Sequence, residues 1–134
     1  MANWFGWIAV ILIALSASVP LGYRWNARRR AAPDSTPISI HVLFGFATVV
    51  VAFAHTIFVL PGLGSPAAVE GGLLAFLPGV AAFFLLIAHG GLGLQLRDVR
   101  LRDRARKRRA HVTTAIAIAV AVGAHVLPLV RAPK

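Results

Sequence analysis

Five histidines are the side chains of this sequence best suited to chemistry: His41, His55, His89, His111 and His125. Imidazole is the commonest protein ligand for metals, and it carries protons near neutral pH. Four of the five follow a pattern, because His41 and His55 are 14 residues apart and so are His111 and His125. On an α-helix, 14 residues turn through about 1400°, roughly 40° short of four full turns, and rise about 21 Å. Each pair therefore points one way from its helix, with its members far apart along the axis. The chain has no cysteine, which removes disulfides, thiolate metal sites, iron–sulfur clusters and covalent c-type attachment of a cofactor.

The elements that must carry these histidines are set by composition. Of 134 residues, 58% are apolar and 13% charged, yet the net charge is +10. Disorder is excluded, because it needs low hydrophobicity. The basic residues sit in two blocks between apolar runs rather than over one face, so a nucleic-acid partner is not expected. Four segments are apolar for about the 20 residues that a spanning helix requires. They are residues 4–23, 37–60, 72–96 and 110–130, and none has an ionised side chain in its interior. The fold expected is therefore all-α, a single transmembrane four-helix bundle over 1–134.

The loops orient it. Loop 24–30 holds four positive charges and loop 97–109 holds eight, whereas the loop around Pro61–Pro66 holds none. The two basic loops fall on the same side of alternating helices, and the positive-inside rule puts them in the cytoplasm, with both termini outside. The expected location is the plasma (inner) membrane. Trp4, Trp7, Tyr23 and Trp25 flank the first helix as an interfacial belt. The first segment is read as a retained helix rather than a signal peptide, because its Arg cluster follows the apolar run instead of preceding it.

Within this frame the second and fourth helices run in the same direction. His41 then lies at the depth of His111, near the cytoplasm, and His55 at the depth of His125, toward the outside. If these helices face each other, two His–His pairs stack across the membrane, as bis-histidine axial ligation of haem requires. Hydrogen-bonded packing histidines are the plainer reading, but four at two equal spacings fit it poorly, and polar groups in a bilayer are costly. A zinc or di-iron site would gather ligands at one depth, and iron would want carboxylates. A proton relay would favour Asp or Glu beside the histidines.

His89 stands apart, in the cytoplasmic half of the third helix within Ala88-His89-Gly90-Gly91-Leu92-Gly93. Its readings are a hydrogen-bond partner to a quinone or haem propionate, a replacement for His111 as inner ligand, or packing. His111 is preferred as ligand because of the equal spacings. Arg28, Arg29, Arg30, Arg108 and Arg109 lie at the edge nearest the inner haem and could pair with its propionates. Topology and anionic lipid are the stronger explanation for most of them. Arg131, Thr56 and the glycine-rich second loop are the candidates at the outer haem. Thr48, Thr113 and Thr114 could hydrogen-bond a carbonyl, a ligand imidazole or a haem edge. Glycines along the helices allow close approach of helices or of a flat cofactor. His41 to His111 and His55 to His125 are both 70 residues, which suggests a duplicated hairpin over 1–60 and 72–130.

The motif His41-x13-His55 with His111-x13-His125 resembles the di-haem b-type membrane cytochromes. It is similar to the four-helix haem core of cytochrome b in quinol-oxidising complexes, to ferric reductases and to cytochrome b561 proteins. The resemblance covers most of the chain, as topology and four ligands. It implies two haem b groups, with His41 and His111 holding the inner iron and His55 and His125 the outer. It also implies an electron-transfer subunit of a redox complex rather than a free-standing enzyme. The partners implied are membrane lipid, other subunits and a quinone. There is no G-x-G-x-x-G fingerprint for a nicotinamide or flavin, and no quinol-site signature of the bc family; the orientation also runs opposite to that family's cytochrome. The alternative is a non-redox anchor or assembly subunit of a larger complex.

Overall fold

The computed structural model describes residues 2–64 and 76–131. They form four long helices: α1 (Ala2–Ala27), α2 (Thr36–Val59), α3 (Leu77–Arg97) and α4 (Arg104–Arg131), with a 3-10 turn at Leu60–Gly64 after α2. No strand occurs among the described residues. All four helices are long and apolar enough to cross a membrane. In hydrocarbon only a helix or a closed barrel satisfies its own backbone polar groups, so a chain of this hydropathy folds as helices. The chain is a multi-pass membrane protein built as a four-helix bundle.

Local chemistry sets the ends. The last turn of α1 gives way at Arg28, whose φ of 53° lies in the left-handed region. Ser35 is extended before α2, and Pro37 opens that helix. Pro78 does the same for α3. Proline suits the first turn because its missing N–H would have no partner there. Between α3 and α4 the chain turns at Asp98, whose carboxylate accepts the Arg100 N–H at 2.8 Å. The Arg104 guanidinium donates to the Asp98 carbonyl, and Lys107 Nζ donates to Gln95 Oε1, tying the two helices at the turn.

Two boundaries differ from expectation. α4 begins at Arg104 rather than at 110, so five of the eight basic residues of the Arg-rich run lie in that helix. Arg, Lys and Ala are good helix formers, and a helix need not stop where the membrane does. For the same reason α1 continues through Arg24 and Trp25 to Ala27 instead of ending at 23. α3 starts at Leu77; the expected stretch 72–75 lies outside the described residues, as do Ser65 and Pro66 of the second loop.

Close backbone packing joins α1 to α2 and α3 to α4, with a lighter seam between α2 and α3. α2 and α4 are not among the closely packed pairs, so they meet across the bundle through side chains. The outer surface is apolar: Phe46, Phe53, Phe84, Ile116 and Val120 are exposed, as contact with lipid chains requires. Among the described residues, four of the five buried ones fall at matching positions of the two hairpins. Ala9 and Ala82 are buried 73 residues apart on α1 and α3, while Thr48 and Ile118 are buried 70 apart on α2 and α4. Thr48, at 1% exposure, satisfies its hydroxyl on the Phe44 carbonyl at 2.8 Å. The two hairpins thus share one register, and that register carries the histidines.

Candidate functional site

At the Arg-rich end three histidines converge: His41 from α2, His89 from α3 and His111 from α4. Each is half-buried, and each offers a ring nitrogen within 4.8 Å of the others. His41 is anchored by α1. Its Nδ1–H donates to the Ser16 carbonyl at 2.7 Å and lies 3.0 Å from Ser16 Oγ, and that hydroxyl donates to the His41 carbonyl at 3.2 Å. The Ser16 carbonyl is available for a reason written in the chain. Its helical partner would be the N–H four residues on, and that residue is Pro20, inside α1, which has none. A carbonyl accepts only, so the proton sits on Nδ1 and Nε2 keeps its lone pair.

His111 is held in the same way by α3. Its Nδ1–H donates to the His89 carbonyl at 3.2 Å. Four residues beyond His89 stands Gly93, where a Cβ would come within 3.2 Å of His111 Cε1. Here the neighbouring helix makes room by omitting a side chain instead of an N–H. In a regular helix the Gly93 N–H still claims the His89 carbonyl, so His111 shares its acceptor. The longer distance agrees with that. Thr114 Oγ1 donates to the His111 carbonyl at 2.9 Å, so it accepts from His89 Nδ1 at 2.9 Å. All three imidazoles therefore spend Nδ1 on protein and leave Nε2 as the lone-pair atom.

Ring geometry separates their roles. His41 and His111 stand with ring centres 6.1 Å apart and planes at 87°. His89 lies flat on His111, with centres 3.7 Å apart and planes at 14°. The two lone pairs lie in nearly parallel planes, so in this arrangement one ion cannot lie in the plane of both stacked rings. The cluster is thus a facing pair, His41 and His111, with His89 covering one ring, rather than a three-histidine cage of the kind zinc enzymes use.

At the opposite end, His55 packs against Gly6 of α1 and His125 against Gly79 of α3. A Cβ at Gly6 would approach His55 Cε1 to 3.2 Å, and one at Gly79 would reach His125 Cε1 and Nδ1 at 3.0 Å. Real Cβ atoms are rarely this close, so any larger residue at either position would make the facing ring give way by a few tenths of an ångström. His125 Nδ1 is sequestered from solvent. Phe5 stacks on Phe58 and Phe53 on Phe83 at this level, with centres 5.2 and 6.4 Å apart.

The remaining candidates divide. Thr114 belongs to the cluster, whereas Thr113 is exposed on the outer face of α4. Thr56 donates to the Ala52 carbonyl at 2.9 Å. Arg28, Arg29 and Arg30 are exposed beyond the end of α1, and Arg109 is exposed on the helical start of α4, with Arg108 half-buried beside it. Arg24 and Arg28 line an open groove with Leu21 and Trp25. Arg131 is exposed at the end of α4. Sequence reasoning missed Ser16 and the part played by Pro20. A proline four residues after a polar residue on a membrane helix was the available signal, since it marks a carbonyl in need of a donor. Comparison with protein-family models, curated proteins and solved structures finds no match.

Proposed function

We propose that this chain is a di-haem b-type cytochrome that carries electrons across a membrane as a subunit of a redox complex. The observation that carries this reading is the relation between His41 and His111. Their ring centres stand 6.1 Å apart, so both imidazoles could reach an iron held between them. Both rings also donate Nδ1–H to a backbone carbonyl of the adjacent helix, the arrangement that fixes tautomer and orientation in metal-ligating histidines and raises their basicity.

In this reading His41 and His111 hold one haem and His55 and His125 a second, about 21 Å further along the helices. Haem supplies the one-electron chemistry. The chain supplies the ligands, the hydrogen bonds that aim them and an apolar surround that keeps water away. The Arg-rich end faces the cytoplasm of a bacterial-type plasma membrane, where Arg28, Arg29 and Arg109 are placed to meet anionic headgroups, haem propionates or a cytoplasmic donor. A quinone pool or another redox subunit exchanges electrons with it. The test is a reduced-minus-oxidised visible spectrum of the detergent-purified protein, from haem-supplied cells, with extraction to count haem. Two b-type haems per chain are expected. Colourless protein overturns the reading and leaves a non-redox anchor whose histidines serve packing or partner contact.

A further inference from the structure

We propose that the outer face of α1 at the Arg-rich end binds one anionic phospholipid, with Arg24 and Arg28 clamping its phosphate and Leu21 and Trp25 seating its apolar part. The inference does not depend on the haem reading.

Leu21, Arg24, Trp25 and Arg28 line one open groove. Arg24, Trp25 and Arg28 follow Leu21 by three, four and seven residues, the spacing that sets side chains one above another on a helix face. From Leu21 to Arg28 the rise is about 10 Å, and a headgroup layer is about 5–8 Å thick. The groove therefore crosses that layer, with Leu21 on the hydrocarbon side and Arg28 on the water side. Leu21 is 65% exposed and Trp25 78% exposed. An indole suits this depth, where one part of it meets hydrocarbon and the other the headgroups.

The charges of the groove are unspent. Among the described residues, Arg24 and Arg28 make no ion pair and no side-chain hydrogen bond. The second hairpin differs. A groove at its Arg-rich end is lined by Leu92, Asp103, Arg106, Lys107 and Ala110, so it contains a carboxylate. Its cations are partly used within the protein, Arg104 on the Asp98 carbonyl and Lys107 on Gln95. Residues 97–109 include Asp98 and Asp103, whereas residues 24–30 include no acid. An anion is therefore repelled least, and paired most fully, on α1.

Two guanidinium forks match the oxygens of a phosphodiester. Every phospholipid has that phosphate, but a choline headgroup carries its own cation, which offsets the phosphate charge and competes with the arginines. A headgroup without a cation leaves the phosphate to Arg24 and Arg28, so the site prefers an anionic lipid. Leu21 and Trp25 add a contact that only a lipid can use.

The experiment is quenching of Trp25 fluorescence by lipids with brominated acyl chains, in nanodiscs of the full-length protein. Trp4→Phe and Trp7→Phe leave Trp25 as the only indole. Brominated phosphatidylglycerol or brominated phosphatidylcholine is titrated into a phosphatidylcholine disc, and each signal is divided by that of the matching disc without bromine. The glycerol lipid should reach half-maximal quenching at about a tenth of the fraction that the choline lipid needs, as two arginines near an anionic headgroup allow. Arg24→Gln/Arg28→Gln should bring the two curves together. Arg29→Gln/Arg30→Gln removes the same charge beside the groove and should keep most of the separation. All four arginines are exposed, so neither variant disturbs packing. Coincident curves in the starting protein overturn the site. Equal loss of separation in both double variants also overturns it, because the attraction is then diffuse and belongs to the basic end as a whole.

Discussion

The two hairpins hold an imidazole by opposite means. In the first, Pro20 deletes an N–H, so the Ser16 carbonyl has no rival acceptor duty and takes His41 at 2.7 Å. In the second, Gly93 deletes a side chain, so His111 can approach, but it meets the His89 carbonyl at 3.2 Å and also lies against the His89 ring. A carbonyl in a transmembrane helix is already paired with its own helix, so a histidine from another helix either shares that acceptor or takes one left free. Where the competitor is removed the bond is the shorter one, and where only the obstacle is removed the acceptor is shared and the bond is longer.

The comparison can be broken at several points. The largest effect belongs to the facing pair. His111→Ala should lose one of two haems outright, whereas His89→Ala should keep both; loss of a haem in His89→Ala alone would reverse their roles. Next come the glycines at the far end. Gly79→Leu drives a branched side chain into the space of His125, and overpacking of this kind costs about 1–3 kcal/mol. It should empty the far-end site while the Arg-rich end keeps its haem, as difference spectra with haem extraction would report. Pro20→Ala follows. It restores an N–H that competes for the Ser16 carbonyl, so the first hairpin comes to resemble the second. Loss of the hydrogen-bond partner of a ligating histidine typically costs 10–100-fold in metal affinity; with Ser16 Oγ still present, about tenfold weaker haem retention against a competing apoprotein is expected. Ser16→Ala is smaller, about 1 kcal/mol for one hydroxyl bond, because the backbone acceptor stays. Thermal unfolding in detergent measures it, with Thr113→Val on the exposed face as the variant that should change nothing beyond about 0.5 kcal/mol.

Much of the fold was legible because membrane solvation is unforgiving: the apolar lengths alone mark four helices. The equal spacings of His41/His55 and His111/His125 were legible for a similar reason, since helical geometry turns 14 residues into one direction. What spacing could not supply was rotation of one helix about its axis relative to its neighbours. That is why His89 stayed a rival to the preferred His111, and why its stack became visible only in three dimensions. Ser16 was hidden because a hydroxyl on a helix commonly bonds its own preceding turn. Pro20 acts not at its own position but at the carbonyl four residues earlier. Gly6, Gly79 and Gly93 were legible as points of close approach but not as seats for particular rings. The start of α4 was misplaced because charge marks the membrane edge and not the helix end.

The most direct test of the central claim is a haem count on three proteins: the wild type, His41→Ala/His111→Ala and His55→Ala/His125→Ala. Two facing pairs predict two haems per chain in the first and one in each double variant, with the two survivors differing in spectrum. If either double variant retains two haems, or the wild type holds none, these histidines do not pair across the bundle as ligands, and the account of the site is wrong.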